Sequence, residues 1–523
     1  MGRNNGQRGW RWDCIGPLAA ILALGGLVRL YGIGAKGLWL DEAFSIWMAR
    51  QPLADMLGWV ARIDQHPPLY YILLHGWLAL GDGEAQVRAL SALCSVLTIP
   101  VIYLLGRRLG DHATGLLAAL LLAVSPFHVH YAQEARMYAL LGLEAALVML
   151  ALAHLLTDPQ ARTRSAEASG GRTGGLRRGF AWLGYTVFTA AALLTHSTAV
   201  FLWLAANLVV GGLWLAERRR GRASEPPAEQ RMRAPGLPSW ALAQVGVLAL
   251  WAGWLPALSR QALGVYREFW LPPPTLGAVI GALGAFASEF FPLHGPASAV
   301  LALFYVPLFA LGCRRLRRRP SRLVFLAVLL ATPVVGELVV SVWRPIFYDR
   351  TLIWASPPFY LFLAAGIRQL RRWPAALVAV FVALAINGLS LRAYYRDFEK
   401  EGWEQAAALV AARVDPDDLI LFHATWVQIP FDYYFQRAYN QPVAEHGVPA
   451  DLFDQGTLEP AMTVHDQPRL RALIRPYARV WLVYSHDWYT DPVGRIPAVL
   501  ADERLLLDVW EFKGVQVRLY GGG

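Results

Sequence analysis

A 523-residue chain that is 56% hydrophobic and only 16% charged, with a mean hydropathy of +0.35, is too apolar for a soluble protein of that size. Its net charge of +10 would suit a nucleic-acid binder in a soluble chain. Here the arginines fall in short clusters between apolar runs, which is how a polytopic membrane protein fixes its orientation, so membrane lipid is expected as a partner and nucleic acid is not. Cys14, Cys94 and Cys313 form neither a disulfide framework nor a zinc spacing.

In chain order, Met1 to Asp13 is polar and basic. Ile15 to Tyr31 is apolar and, at about 1.5 Å per residue, long enough to span most of a hydrocarbon core. It reads as a retained span and not a cleaved signal peptide, because no small-residue cleavage motif stands out and further spans follow. Arg29, near its far end, is placed to snorkel to the headgroups. Residues 32 to 86 form a long outer loop with two amphipathic helical pieces, Leu38 to Ala49 and Leu69 to Leu80; the second is short enough to lie at the interface.

Further spans are predicted at Arg88 to Leu105, Ala113 to Phe127, Ala139 to Leu156, Phe180 to Leu194 and Val200 to Leu215. Beyond them come Trp240 to Leu258, Ala297 to Leu311, Leu323 to Val342, Leu352 to Gly366 and Ala375 to Leu391. A Gly/Ala-rich helix before Pro296 reads as interfacial. About eleven spans place all five internal basic clusters on one side with the basic N-terminus: 107–108, 162–178, 218–220, 314–319 and 368–372. The C-terminus then lies outside. The chain divides into a helical polytopic membrane domain over 1–395, with its first outer loop at 32–86, and an extracytoplasmic α/β domain over 396–523. In the latter, Leu419 to Phe422, Val480 to Tyr484 and Val515 to Tyr520 alternate with helical patterns such as Leu470 to Ile474.

No Gly-rich phosphate loop follows a strand, and neither GxSxG nor HExxH occurs. The chemistry-bearing residues lie instead on the outer loops: Asp41, Glu42, Asp64, His66, Gln133, Glu134, Arg136, Tyr138, Asp349 and Arg350. Successive helical residues diverge by about 100°, so only one of Asp41 and Glu42 points into a given site. Structural readings compete with the functional ones. Asp41 is placed to cap a helix over Glu42 to Ala49, His66 to brace a rigid Pro67-Pro68 corner, and Arg136 and Arg350 to hold lipid headgroups.

The runs Leu38-Trp39-Leu40-Asp41-Glu42, Asp64-Gln65-His66-Pro67-Pro68-Leu69-Tyr70-Tyr71 and Gln133-Glu134-Ala135-Arg136-Met137-Tyr138 resemble the bacterial branch of the protein O-mannosyltransferase and aminoarabinose transferase group, which is glycosyltransferase family 39-like. The resemblance extends over about residues 10 to 395 and is strongest before residue 145. It implies a GT-C fold and a polyprenyl-phosphate sugar donor. Asp41, with Glu42 beside it, takes the place of the first-loop acid that acts as base or organises the acceptor. Arg136 and Arg350 are the expected ligands of the donor phosphate, and Asp64, His66, Glu134 and Tyr138 the expected substrate contacts. Two departures stand out. The late Arg-Tyr pair is Arg350-Thr351 here, and the Glu-Lys corner of aminoarabinose transferases is Gln65-His66, which argues against that sugar.

The chemistry is consistent with such a reaction. A lipid phosphate is already a good leaving group, so cations are needed on it and no general acid, unlike a glycoside hydrolase with two carboxylates. Arginine supplies bidentate, permanently charged hydrogen bonds. One carboxylate, Asp41, suffices to deprotonate the acceptor, which could be protein, lipid or glycan. In-line attack would invert the anomeric centre. No cofactor is assigned, and Asp41, Glu42 and His66 have the ligand types for a divalent metal, although their spacing is not diagnostic. A flippase would call for broken mid-membrane sites and internal repeats that are not evident. A non-enzymatic scaffold would work through the C-terminal domain. An oligosaccharyltransferase would carry a WWD motif, and the chain has no Trp-Trp pair.

Overall fold

The computed structural model describes residues 12–64, 66–157, 172–220, 231–264, 273–291, 297–452, 454 and 460–522. Gln65, most of the 162–178 basic linker and the segment around Trp270 lie outside them.

Helix α1 (Trp12–Leu30) leads to three short helices, α2 (Leu40–Arg50), α3 (Leu53–Arg62) and α4 (Leu69–Trp77). The two amphipathic pieces expected in the first loop are α2 and α4. Between them α3 adds a third, placing Met56 and Val60 in the core and Leu53 and Leu57 outside. The bundle continues with α5 (Glu84–Leu109), α6 (His112–Ala123), α7 (Pro126–Ala132), α8 (Tyr138–Thr157), α9 (Arg172–Thr195), α10 (Ala199–Arg220), α11 (Leu237–Trp251) and α12 (Leu255–Gly264). It closes with α13 (Leu276–Ser288), α14 (Ala297–Leu316), α15 (Pro320–Ser341), α16 (Ser356–Ile367) and α17 (Trp373–Arg396).

Every expected span is helical, but fewer than eleven are long and apolar enough to cross a membrane. Among the described residues seven qualify: α5, α8, α10, the run Leu237–Gln261, α14, α15 and α17. The pair α6–α7, bent by 58°, makes an eighth if taken as one span. The described apolar part of α1 is too short, Gly16–Leu30, and α16 has 12 residues. Arg172, Arg177 and Arg178 fill the first turns of α9. This is a multi-pass membrane protein.

Close helix contact in lipid requires small residues, since apolar association alone gives little drive there. At the α14–α16 crossing a Cβ on Gly312 would stand 2.0 Å from the Phe362 carbonyl oxygen, and one on Gly366 would stand 1.9 Å from that of Leu308. Only glycine fits at either place. Arg29 does not snorkel. It is fully buried, donating to Ser95 Oγ at 2.8 Å, Gly25 O at 3.0 Å, Ala123 O at 2.7 Å and Leu122 O at 3.2 Å. The last two carbonyls lie at the α6–α7 break; that of Leu122 also accepts from the Ser125 N–H at 3.2 Å, and the guanidinium satisfies that of Ala123 where water cannot reach.

Three basic clusters meet at one end of the bundle. Asp111, at the α5–α6 turn, lies 3.6 Å from Arg315 and 3.2 Å from Arg368, while Arg322 donates to Leu109 O at 2.7 Å. The first loop and the 133–138 and 350 turns lie together at the other end.

After α17 the chain forms a five-stranded sheet, β1 (Leu419–His423), β2 (Ala444–Gly447), β3 (Arg479–Tyr484), β4 (Leu505–Phe512) and β5 (Val515–Gly521), in the order β2-β1-β3-β5-β4. Strand β1 pairs in parallel with β2 and β3, and β5 antiparallel with β3 and β4. At β1 and β3 both sheet faces are covered, so these strands are apolar on consecutive residues. Leu419, Leu421, Val480 and Leu482 pack with α20 (Gln467–Ile474) and the later helix Arg495–Glu503. Ile420, Phe422, Trp481 and Val483 belong instead to the main core with α18 (Trp403–Ala411) and α19 (Gln428–Ala438). Helix α19 docks on the first loop, where Leu38 N donates to Tyr434 Oη at 2.7 Å and Tyr433 Oη donates to Asp82 O at 2.7 Å.

Candidate active site

Helix α2 starts at Leu40, after the extended Trp39. Asp41 therefore lies inside the first turn and does not cap. The capping role falls to Glu401, from the segment after α17, whose Oε2 accepts from the Leu40 N–H at 2.9 Å. Freed from capping, Asp41 turns toward two arginines. Its Oδ2 is 3.3 Å from Arg350 Nη1 and 3.6 Å from Arg136 Nη2. Arg136 is positioned by Ser45 Oγ at 3.2 Å and the Asp41 carbonyl at 3.3 Å, both on α2. The Tyr138 ring centroid lies 6.0 Å from the Arg136 guanidinium and 5.6 Å from that of Arg350, and Trp39 and Tyr348 also face Arg350 at 5.7 and 4.8 Å. The Asp41 side chain is 27% exposed and that of Arg136 only 4%. Burial pushes the Asp41 carboxyl up, but Arg136 and Arg350 outweigh it and hold it below the ordinary carboxylate value.

Glu42 departs from the expectation of a second catalytic carboxylate. It points away from Asp41 and is fully buried. Arg88 grips it from Nε and Nη2 at 2.8 Å each, Lys400 Nζ donates at 2.7 Å and the Ala135 N–H at 2.8 Å. Burial opposes its ionisation, yet Arg88 and Lys400 hold its carboxyl well below the ordinary value. With its oxygens taken up in this way, Glu42 cannot serve a ligand. The metal set of Asp41, Glu42 and His66 is not assembled, and no group of three or more His, Cys, Asp and Glu side chains fit to hold a metal exists among the described residues.

His66 is held by Asp64, whose Oδ1 faces its Nδ1 at 2.9 Å and accepts its N–H at 3.1 Å. Its ring, 22% exposed, packs 5.2 Å from that of His196, in the turn between α9 and α10, which in turn lies 6.0 Å from Tyr138. Burial first, then His66, Arg136 and Arg350, push the His196 imidazole well below its usual value, so it is neutral. Asp64, His66, Tyr138, Arg136, Arg350 and Asp41 thus converge. Glu134 stands apart: it is 3% exposed, with Oε1 3.2 Å from His130 Nε2 and 3.8 Å from Lys400 Nζ. Thr351, where the related pattern has Tyr, donates to Glu337 Oε2 at 2.8 Å.

Lys400, Glu401, Arg88 and His196 carry the site's architecture without having been singled out as site residues. A compositional signal existed for the first. The chain uses arginine almost throughout and has only three lysines, Lys36, Lys400 and Lys513. Lys36 donates to Phe398 O at 2.6 Å and Lys513 to Glu399 O at 2.5 Å, so all three gather on the segment from Phe398 to Lys400.

Residues 65–165, less than half of the chain, match the family model described as dolichyl-phosphate-mannose-protein mannosyltransferase. No curated protein matches the sequence. Among solved structures the chain is similar to ArnT from Cupriavidus metallidurans in the apo state, at a TM-score of 0.63 and 14% identity over 97% of this chain and 98% of that one. The same protein bound to undecaprenyl phosphate gives 0.60 and 14% over 96% and 98%. The archaeal oligosaccharyltransferase AglB from Archaeoglobus fulgidus, in complex with an inhibitory peptide and a dolichol-phosphate, gives 0.56 and 12% over 98% and 75%. The chain therefore has, over nearly its whole length, the GT-C fold of these membrane enzymes.

Proposed function

We propose that the protein is a glycosyltransferase that moves a sugar from a polyprenyl-phosphate donor to an acceptor on the outer face of a bacterial plasma membrane. The observation that carries this reading is the Asp41 carboxylate set between Arg136 and Arg350. Its separations of 3.3 and 3.6 Å exceed the roughly 2.7–2.9 Å of a committed charge-assisted pair. Both guanidinium groups therefore keep donors that a phosphodiester can engage. Support comes also from the undecaprenyl phosphate and dolichol-phosphate named for the structures of like fold.

In this mechanism Arg136 and Arg350 bind the donor phosphate and stabilise the charge it gains as the C1–O bond breaks. Engaging the phosphate loosens their hold on Asp41, whose basicity then rises as the acceptor arrives. Asp41 accepts the acceptor proton, the acceptor oxygen or nitrogen bonds to C1 from the face opposite the phosphate, and the polyprenyl phosphate leaves with inversion. His66, fixed by Asp64, and the neutral His196 line the sugar side. Glu42 is a positioning residue that holds α2 through Arg88 and Lys400. Asp41→Asn in purified protein should lower transfer from a panel of polyprenyl-phosphate sugars by about 10²-fold or more, read by mass spectrometry of the released lipid. Near-normal turnover in a folded Asp41→Asn protein would overturn the assignment.

A further inference from the structure

The C-terminal domain carries a cleft that this mechanism does not use. It opens where the turn after β3 meets the β4–β5 hairpin and has a volume of about 540 Å³, within the size range of small-ligand sites. Trp488, 61% exposed, lies on one wall beside Asp487, and Glu511, Gln516 and Arg518 on the hairpin lie on the other. Gln516 donates to Glu511 at 3.1 Å and accepts from Arg518 Nε at 2.6 Å, so the planar polar groups are tied into one array. The residue before the Asp487-Trp488 pair, His486, is left-handed at φ 54. A non-glycine residue seldom adopts that conformation, and such strain tends to collect where a chain must present a particular side chain.

Glu401 completes the cleft, and it is the residue that accepts from Leu40 N–H, immediately before Asp41. The hairpin turn rests on the same segment, with Gly402 N donating to Lys513 O at 2.9 Å. The cleft is therefore tied through one side chain to the start of α2, one residue before Asp41.

We propose that this cleft binds the acceptor, and that the acceptor is a neutral oligosaccharide; the assignment of acceptor rests on the glycosyltransferase reading above. An exposed indole offers a flat apolar face to the C–H face of a pyranose ring. Carboxylates accept from sugar hydroxyls, while Arg518 and Gln516 donate to them. Three carboxylates, Glu401, Asp487 and Glu511, against one guanidinium, Arg518, disfavour phosphorylated or uronic-acid chains.

The test uses the full chain in lipid nanodiscs and calorimetric titration with mannohexaose, maltohexaose, N-acetylated chitohexaose, a galacturonate hexamer and a lysine-rich dodecapeptide. At least one neutral hexasaccharide is expected to bind. Trp488→Ala and the more conservative Glu511→Gln should each weaken it tenfold or more, with undecaprenyl phosphate affinity unchanged. The proposal is overturned if no neutral hexasaccharide binds, if only the anionic hexamer or the peptide binds, or if both variants bind like the wild type. The readout requires no turnover, so a failure of Asp41 as base would leave it standing, and its own failure would leave the Asp41 result standing.

Discussion

At the scale of single residues, the separation of Asp41 from Glu42 decides the chemistry. The 100° between successive helical positions sets one carboxylate beside Arg136 and Arg350 and hands the other to Arg88 and Lys400. Because Arg136 and Arg350 lower the Asp41 value, the carboxylate is ionised throughout the neutral range, and the acid limb of kcat/KM in the free enzyme should lie below the ordinary aspartate value. Linkage has the same sign. A carboxyl whose value is lower folded than unfolded contributes stability that is fully present above the unfolded value and lost as pH falls through the folded one. Removing one cation by Arg350→Gln should move the acid limb upward, read from a pH–rate profile; an unmoved limb would show that another group is titrating. Arg136→Ala should weaken undecaprenyl phosphate binding by about tenfold to a hundredfold, the equivalent of a charged hydrogen bond of about 1.5–3 kcal/mol.

At the scale of elements, two buried cations fix the pieces that carry the site. Arg88, 1% exposed, joins Glu42 to the carbonyls of Ile33, Lys36 and Gly37, and so pins α2 to the end of α1 and to α5. Glu42→Gln leaves Arg88 buried without its anion and Lys400 with only Glu134, 3.8 Å away, which should cost about 3–5 kcal/mol and lower the apparent melting temperature in detergent. Arg29→Met should cost less, about 1–3 kcal/mol for the Ala123 carbonyl it leaves without a donor at the α6–α7 break, and should loosen that bend in hydrogen exchange. These roles were only partly legible in sequence. The Asp41-Glu42 pair could be read because helix geometry is local, β1 and β3 because their apolar runs are short and bounded, and β5 because Val515, Val517 and Leu519 alternate with polar residues. Strand β4 was not: Leu505-Leu506-Leu507 does not alternate, and it follows a helix with no turn signal. Arg29 read as a snorkelling end residue because its partners come from the α6–α7 break and α5, up to 94 positions away. Lys400 is 358 positions from Glu42, a distance no spacing rule spans.

At the scale of the whole molecule, the two ends of the bundle differ in charge logic. One end gathers Arg315, Arg319, Arg322 and Arg368 around Asp111 and the carbonyls of Leu109 and Gly110. The other gathers the first loop, the 133–138 and 350 turns and the sheet domain docked through α19. Basic loops stay cytoplasmic during insertion, so the first end should face the cytoplasm and the candidate site the outside. Single cysteines at exposed positions test this directly, in a background with Cys14 and Cys313 replaced by serine and buried Cys94 retained. Arg371→Cys should resist a membrane-impermeant maleimide in right-side-out vesicles and react once they are opened. Asp502→Cys, on the helix Arg495–Glu503 of the sheet domain, should react in both. The reverse pattern would place the Asp41 site on the cytoplasmic face and require a donor presented from that leaflet, while leaving the geometry of Asp41, Arg136 and Arg350 intact.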